Sequence, residues 1–89
     1  MDAKTKRSII KDLEKAGFGQ LICERDGGLY IVAEGTVEIN GKLVRGGNYW
    51  ERTPEYDDFG TNKKIVKICD KYDCFCEWET PGAFAIREI

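Results

Sequence analysis

Apolar residues recur at Ile9, Ile10, Leu13 and Ala16, one stripe at helical spacing, while Lys6, Arg7, Lys11, Asp12 and Lys15 fall off it. The pattern predicts an amphipathic helix over residues 4–16. Gly17 suits its C-terminal cap, because glycine reaches the left-handed region without a Cβ penalty. Lys15 in the last turn faces the negative end of the helix dipole. The period then changes to two. In "GQLICERDGGLYIVAEG", Leu21 and Cys23 alternate with Ile22 and Glu24, and Asp26-Gly27-Gly28 supplies a turn. On the return arm Leu29, Ile31 and Ala33 share one face and Tyr30 and Val32 the other. A second hairpin follows around Asn40-Gly41, the favoured type I′ pair, flanked by Val37, Ile39 and Leu43. Its short arms suggest a flap at the sheet edge.

Residues 61–72 carry both periods. Ile65, Ile68, Cys69 and Tyr72 make a helical face, whereas Val66-Lys67-Ile68 alternates like a strand, and Lys63 and Lys64 oppose the dipole in a first helical turn. The longer helical pattern is favoured. Two strands close the chain, "CFCEWE" and "AFAIREI". Cys74, Cys76 and Trp78 share one face of the first, with Phe75, Glu77 and Glu79 on the other; Phe84 and Ile86 share a face of the second. Pro81-Gly82 between them predicts a type II turn. The expected fold is α+β, an N-terminal helix on an antiparallel sheet of hairpins, in the order αββ-β-αββ, as one domain over residues 1–89. "KDLEKAGF" and "KICDKYDCF" each precede a hairpin, a faint internal echo better explained by coincidence than by duplication.

One stretch fits neither period. "GGNYWERTPEYDDFG", residues 46–60, holds four of the ten aromatic residues. Loops this long are uncommon in compact domains and are usually functional or disordered, and disordered segments lack aromatics. Two readings compete: Trp50 and Phe59 roof a thin core, or the loop is the working surface. Tyr and Trp beside acidic residues are what protein interfaces favour. The expected partner-binding residues are Tyr49, Trp50, Glu51, Glu55, Tyr56, Asp57 and Asp58.

Composition narrows the chemistry. With 14 basic and 16 acidic residues the chain is nearly balanced, which argues against nucleic-acid binding by phosphate neutralisation. Charge is nonetheless uneven: residues 51–60 set four carboxylates against Arg52, and Lys63, Lys64 and Lys67 follow. No histidine is present and Ser8 is the single serine, so neither a neutral-pH base nor a serine triad is on offer. Phosphate-loop and calcium-loop patterns are absent. No cofactor is expected, and no enzyme activity. The start "MDAKTKRSII" does not read as a signal peptide and no stretch is apolar enough to span a membrane, so a cytoplasmic protein with reduced cysteines is expected.

These observations lead to a non-enzymatic binding module whose aromatic and acidic loop engages a protein with a basic surface. An owner of such a surface would be a nucleic-acid-handling protein. By class analogy alone, the chain would then be an inhibitor of the kind phages direct against host defence, anti-CRISPR proteins among them. One alternative is a zinc-stabilised adaptor on Cys23, Cys69, Cys74 and Cys76, although their spacing is not that of paired Cys-x₂₋₄-Cys ligands. Another is a nucleic-acid binder using Lys63, Lys64 and Lys67 with Tyr72. A homodimer through an exposed final strand is a further expectation.

Overall fold

A computed structural model describes residues 1–50 and 53–89. Its elements are α1 (Ala3–Lys15), a single 3₁₀ turn (Gly19–Leu21), β1 (Ile22–Arg25), β2 (Gly28–Val32), β3 (Thr36–Ile39), β4 (Lys42–Arg45), α2 (Lys63–Lys71), β5 (Cys74–Thr80) and β6 (Ala83–Glu88). The α+β class expected from the sequence is the one observed. No helix among the described residues is long and apolar enough to cross a membrane.

Helix α1 begins where Asp2 accepts the Thr5 N–H at 2.7 Å, a side-chain cap on an otherwise orphaned donor. It ends in a Schellman arrangement. Gly17, at φ 98°, donates to the Glu14 carbonyl and Phe18 to that of Leu13. The accompanying apolar contact is met by Leu13 and Phe18, both fully buried. Helix α2 carries the unfavourable Lys63 and Lys64 in its first turn, as the sequence warned. Asn62 offsets them: its side chain accepts the Lys64 N–H at 2.9 Å and donates to the Arg45 carbonyl at 2.9 Å. One buried amide thus caps the helix and ties it to β4.

The main sheet is antiparallel in the order β1-β2-β6-β5; β3 and β4 form a separate two-stranded ribbon. Register aligns Ile22, Ile31, Phe84 and Trp78 in one row and Glu24, Leu29, Ile86 and Cys76 in another. These rows face the helices, and Ile9, Leu13, Phe18, Ile65 and Cys69 pack onto them as one core. The opposite face carries the row Cys23, Tyr30, Ala85 and Glu77.

Three expectations need correction. Strand β6 is not exposed, because β2 and β5 pair with its two sides, so it has no open edge to offer a second copy. The first hairpin turns on Asp26 and Gly27, both at positive φ, and Gly28 already belongs to β2, lying beneath the Tyr30 ring. The last hairpin is not a type II turn, since Gly82 lacks the positive φ that turn requires. Its N–H is instead held by Thr80 Oγ1 at 3.2 Å and its carbonyl by the Ala33 N–H at 2.9 Å, beside a bulge between Trp78 and Thr80.

The internal echo is architectural. The units α1β1β2 and α2β5β6 each contribute an edge strand and a central strand, and the central strands β2 and β6 pair antiparallel. Both helices end on a left-handed residue, Gly17 in one and Asp73 in the other.

Candidate functional site

The 46–60 loop is tied down at both limbs. Gly47 bridges Thr61 and Tyr56 bridges Asn62. Asn48 donates to the Gly60 carbonyl at 2.7 Å, Asn62 to that of Gly46 at 2.9 Å and Lys63 to that of Glu55 at 2.9 Å. The glycines permit this closeness. A Cβ on Gly47 would stand 2.7 Å from the Gly60 carbonyl oxygen and 3.1 Å from the Trp78 ring. Asp57 organises the far turn, accepting the N–H groups of Phe59 and Thr61, each at 2.9 Å.

Trp78 is the pillar beneath both limbs. Its indole N–H donates to the Phe59 carbonyl at 2.7 Å while its ring underlies Gly47. It also stands in an aromatic ladder. Trp50 meets Tyr49 edge-on at 5.1 Å, Tyr49 meets Trp78 at 5.4 Å, and Trp78 meets the fully buried Phe84 at 5.3 Å. Such contacts add about 0.5–1.5 kcal/mol each beyond burial. The ladder runs from the centre of the core to Trp50, which is 74% exposed.

The sequence-predicted residues divide accordingly. Trp50 and Tyr49 are presented outward, and Phe59 is 73% exposed, so neither Trp50 nor Phe59 roofs the core. Tyr56 is the buried aromatic of the loop: burial pushes its phenol up from the ordinary value. Placing Tyr56 on the contact surface is therefore corrected; it anchors the loop from below. Glu55 is paired with Lys42 at 3.5 Å, Asp57 is committed to the turn, and Asp58 is exposed. Glu51 lies outside the described residues. Three contributors escaped the sequence reading: Trp78 as pillar, Asn62 as staple, and Phe75, which with Phe59 lines a groove of about 340 Å³ between the loop, α2 and β5. The adjacent Gly46-Gly47 was the available signal, since paired glycines mark where backbone approaches a bulky neighbour.

The cysteines do not gather. Cys23 lies on the outer face of the sheet, with β1 between it and the core that holds Cys69 and Cys74. Among the described residues no three ligand-type side chains converge to hold a metal ion, so the four-cysteine zinc site is not formed. Cys69 and Cys76 touch, with their Sγ atoms 3.7 Å apart. That contact and burial push the Cys76 thiol far up, and burial raises Cys74, so both are held as thiols at neutral pH. Tyr72, which the sequence reading offered to nucleic acid, is turned inward, donating to Asp12 at 2.7 Å.

No protein-family model, curated protein or solved structure matches the chain.

Proposed function

We propose that the chain is a non-enzymatic binding module that engages a protein through the loop surface built on Trp50. The aromatic ladder carries this reading. A large exposed aromatic side chain held in place from the core is pre-organised, so less ordering entropy is lost when a partner covers it. Trp and Tyr at the centre of a contact are the residues on which binding energy concentrates.

The surroundings favour a basic partner. Outside the two helices the chain carries thirteen acidic residues against five basic ones. Such a field speeds encounter with a positive surface and disfavours acidic partners. Positive surfaces of this kind belong to proteins that handle nucleic acid, and covering one would inhibit its owner. The inhibitor role and cytoplasmic setting are the narrower form of the proposal.

The test is affinity capture from cells in which the chain is expressed, with wild type, Trp50→Ala and Asp58→Lys compared. These positions avoid Asp57 and Tyr56, whose replacement would disturb the loop itself. Retention of one partner by wild type, lost with Trp50→Ala and weakened with Asp58→Lys, is the expected result. Equal retention by all three, with folding matched by circular dichroism, would remove the loop as the working surface.

A further inference from the structure

The near balance of charge conceals a division by layer. Helices α1 and α2 carry nine basic side chains against Asp12, Glu14 and Asp70, while the rest of the chain is acidic. On α1, Lys4, Arg7, Lys11 and Lys15 follow one another at i, i+3, i+7 and i+11, a single stripe opposite the buried Ile9 and Leu13. On α2, Lys64, Lys67 and Lys71 repeat the pattern at i, i+3 and i+7, opposite Ile65 and Cys69. The two stripes are adjacent. Lys71 reaches across to Asp12 at 3.0 Å, and a shallow groove between the helices is lined by Lys15, Lys67, Lys71 and Asp12 over Ala16 and Ile68. All seven of these cations are exposed. Among the described residues, Lys71 is the one member of the stripes with an ion-pair partner.

We infer that the outward faces of α1 and α2 form a docking surface for the phosphodiester backbone of a duplex nucleic acid. A surface of unneutralised like charges is destabilising to the free protein, and a polyanion relieves it. The chemistry selects among polyanions. Six of the seven side chains are lysines, flexible point charges that meet phosphates without reading bases. No aromatic side chain projects from either helix to stack a single-stranded base, since Tyr72 is committed to Asp12. Ile68 lies down in the groove, so the face lacks the projecting apolar residues that insert into a lipid surface. An acidic protein would ordinarily find aromatic anchors, which stand on the loop and not here. The α1 stripe runs about 16 Å, a length over which each strand of a duplex presents a charge roughly every 3.4 Å along the axis. The surface is separate from the loop and stands whether or not the loop reading holds.

The test is fluorescence anisotropy with labelled DNA and RNA duplexes of mixed sequence, from about 50 to 200 mM salt. Wild type is expected to bind with little sequence preference and a slope of log affinity against log salt of about −4 to −6, as five or six phosphates are neutralised. Lys11→Glu/Lys15→Glu/Lys67→Glu is expected to lose at least tenfold in affinity and to flatten that slope. The three Lys→Gln changes, which add no repulsion, are expected to act in the same direction more weakly. Trp50→Ala is expected to bind both duplexes like wild type. The DNA and RNA arms distinguish the two sources of the same backbone. Absence of binding to either duplex at the lowest salt, equal binding by the charge-reversed chain, or binding to phosphatidylserine vesicles but to neither duplex would each overturn the inference.

Discussion

Asp12 shows how much one side chain holds together. It accepts from Tyr72 Oη and Lys71 Nζ, joining α1 to the end of α2, and these contacts hold its carboxyl below the ordinary range, the tyrosine first. A carboxyl depressed in the folded state contributes stability that is full above the unfolded value, near 4, and is lost as pH falls through the folded value. Asp12→Asn should therefore flatten the acid limb of a stability profile below about pH 4, measured by urea unfolding. Tyr72 is raised by the same bond, so its contribution is full below about pH 10 and lost as pH rises through the folded value; Tyr72→Phe should flatten that limb as well. Burial orders the thiols too. Cys69 and Cys74 are about 1% exposed, whereas Cys23 sits half-buried on the outer face. Thiol titration of the native protein should show a fast phase that Cys23→Ser removes, with Cys69 and Cys74 reacting on unfolding.

At the scale of elements, the loop depends on contacts a sequence window does not contain. Gly47→Ala would drive a Cβ into the Gly60 carbonyl, and overpacking of this kind costs about 1–3 kcal/mol. Asn62→Ala would remove the α2 cap and leave the Arg45 carbonyl without its donor, a comparable loss of about 1–3 kcal/mol. Both should lower thermal midpoints, and hydrogen exchange should speed first at the backbone N–H groups of positions 48 and 62. The helices and hairpins were legible because their signals are local: an apolar stripe, a cap, a pair of turn residues. The position of β6 was not, because its neighbours β2 and β5 lie on either side in space but on one side in the chain. Tyr56 and Trp50 were indistinguishable by residue type. Tyr56 is buried where it bridges Asn62, while Trp50 stands exposed and edge-on to Tyr49, and residue type encodes neither placement. Lys63 and Lys64 do oppose the α2 dipole, and one capping amide outweighs them.

For the molecule as a whole, the two αββ units place both helices on one face of the sheet and therefore gather their lysines there. A chain with a formal charge of −2 thus behaves as an object with two signs. At neutral pH and low salt it should be retained on cation-exchange as well as anion-exchange matrices, and Lys11→Glu/Lys15→Glu/Lys67→Glu should abolish the former. Net charge alone does not display this division, because it sums over faces, and faces exist after folding. The acidic loop side should make association with a basic protein fall with ionic strength, through the rate of encounter more than through the rate of release.

The aromatic ladder also makes the protein its own optical instrument. The two tryptophans of the chain occupy unlike settings: Trp50 stands in water, while Trp78 is wedged between loop and core with its indole N–H bonded. Emission from the first should be red-shifted and open to collisional quenching; emission from the second should be bluer and shielded. Contact at the loop would then register as lost quenching of the red component alone, and unfolding as a shift of the blue one, without any label attached to the surface being studied.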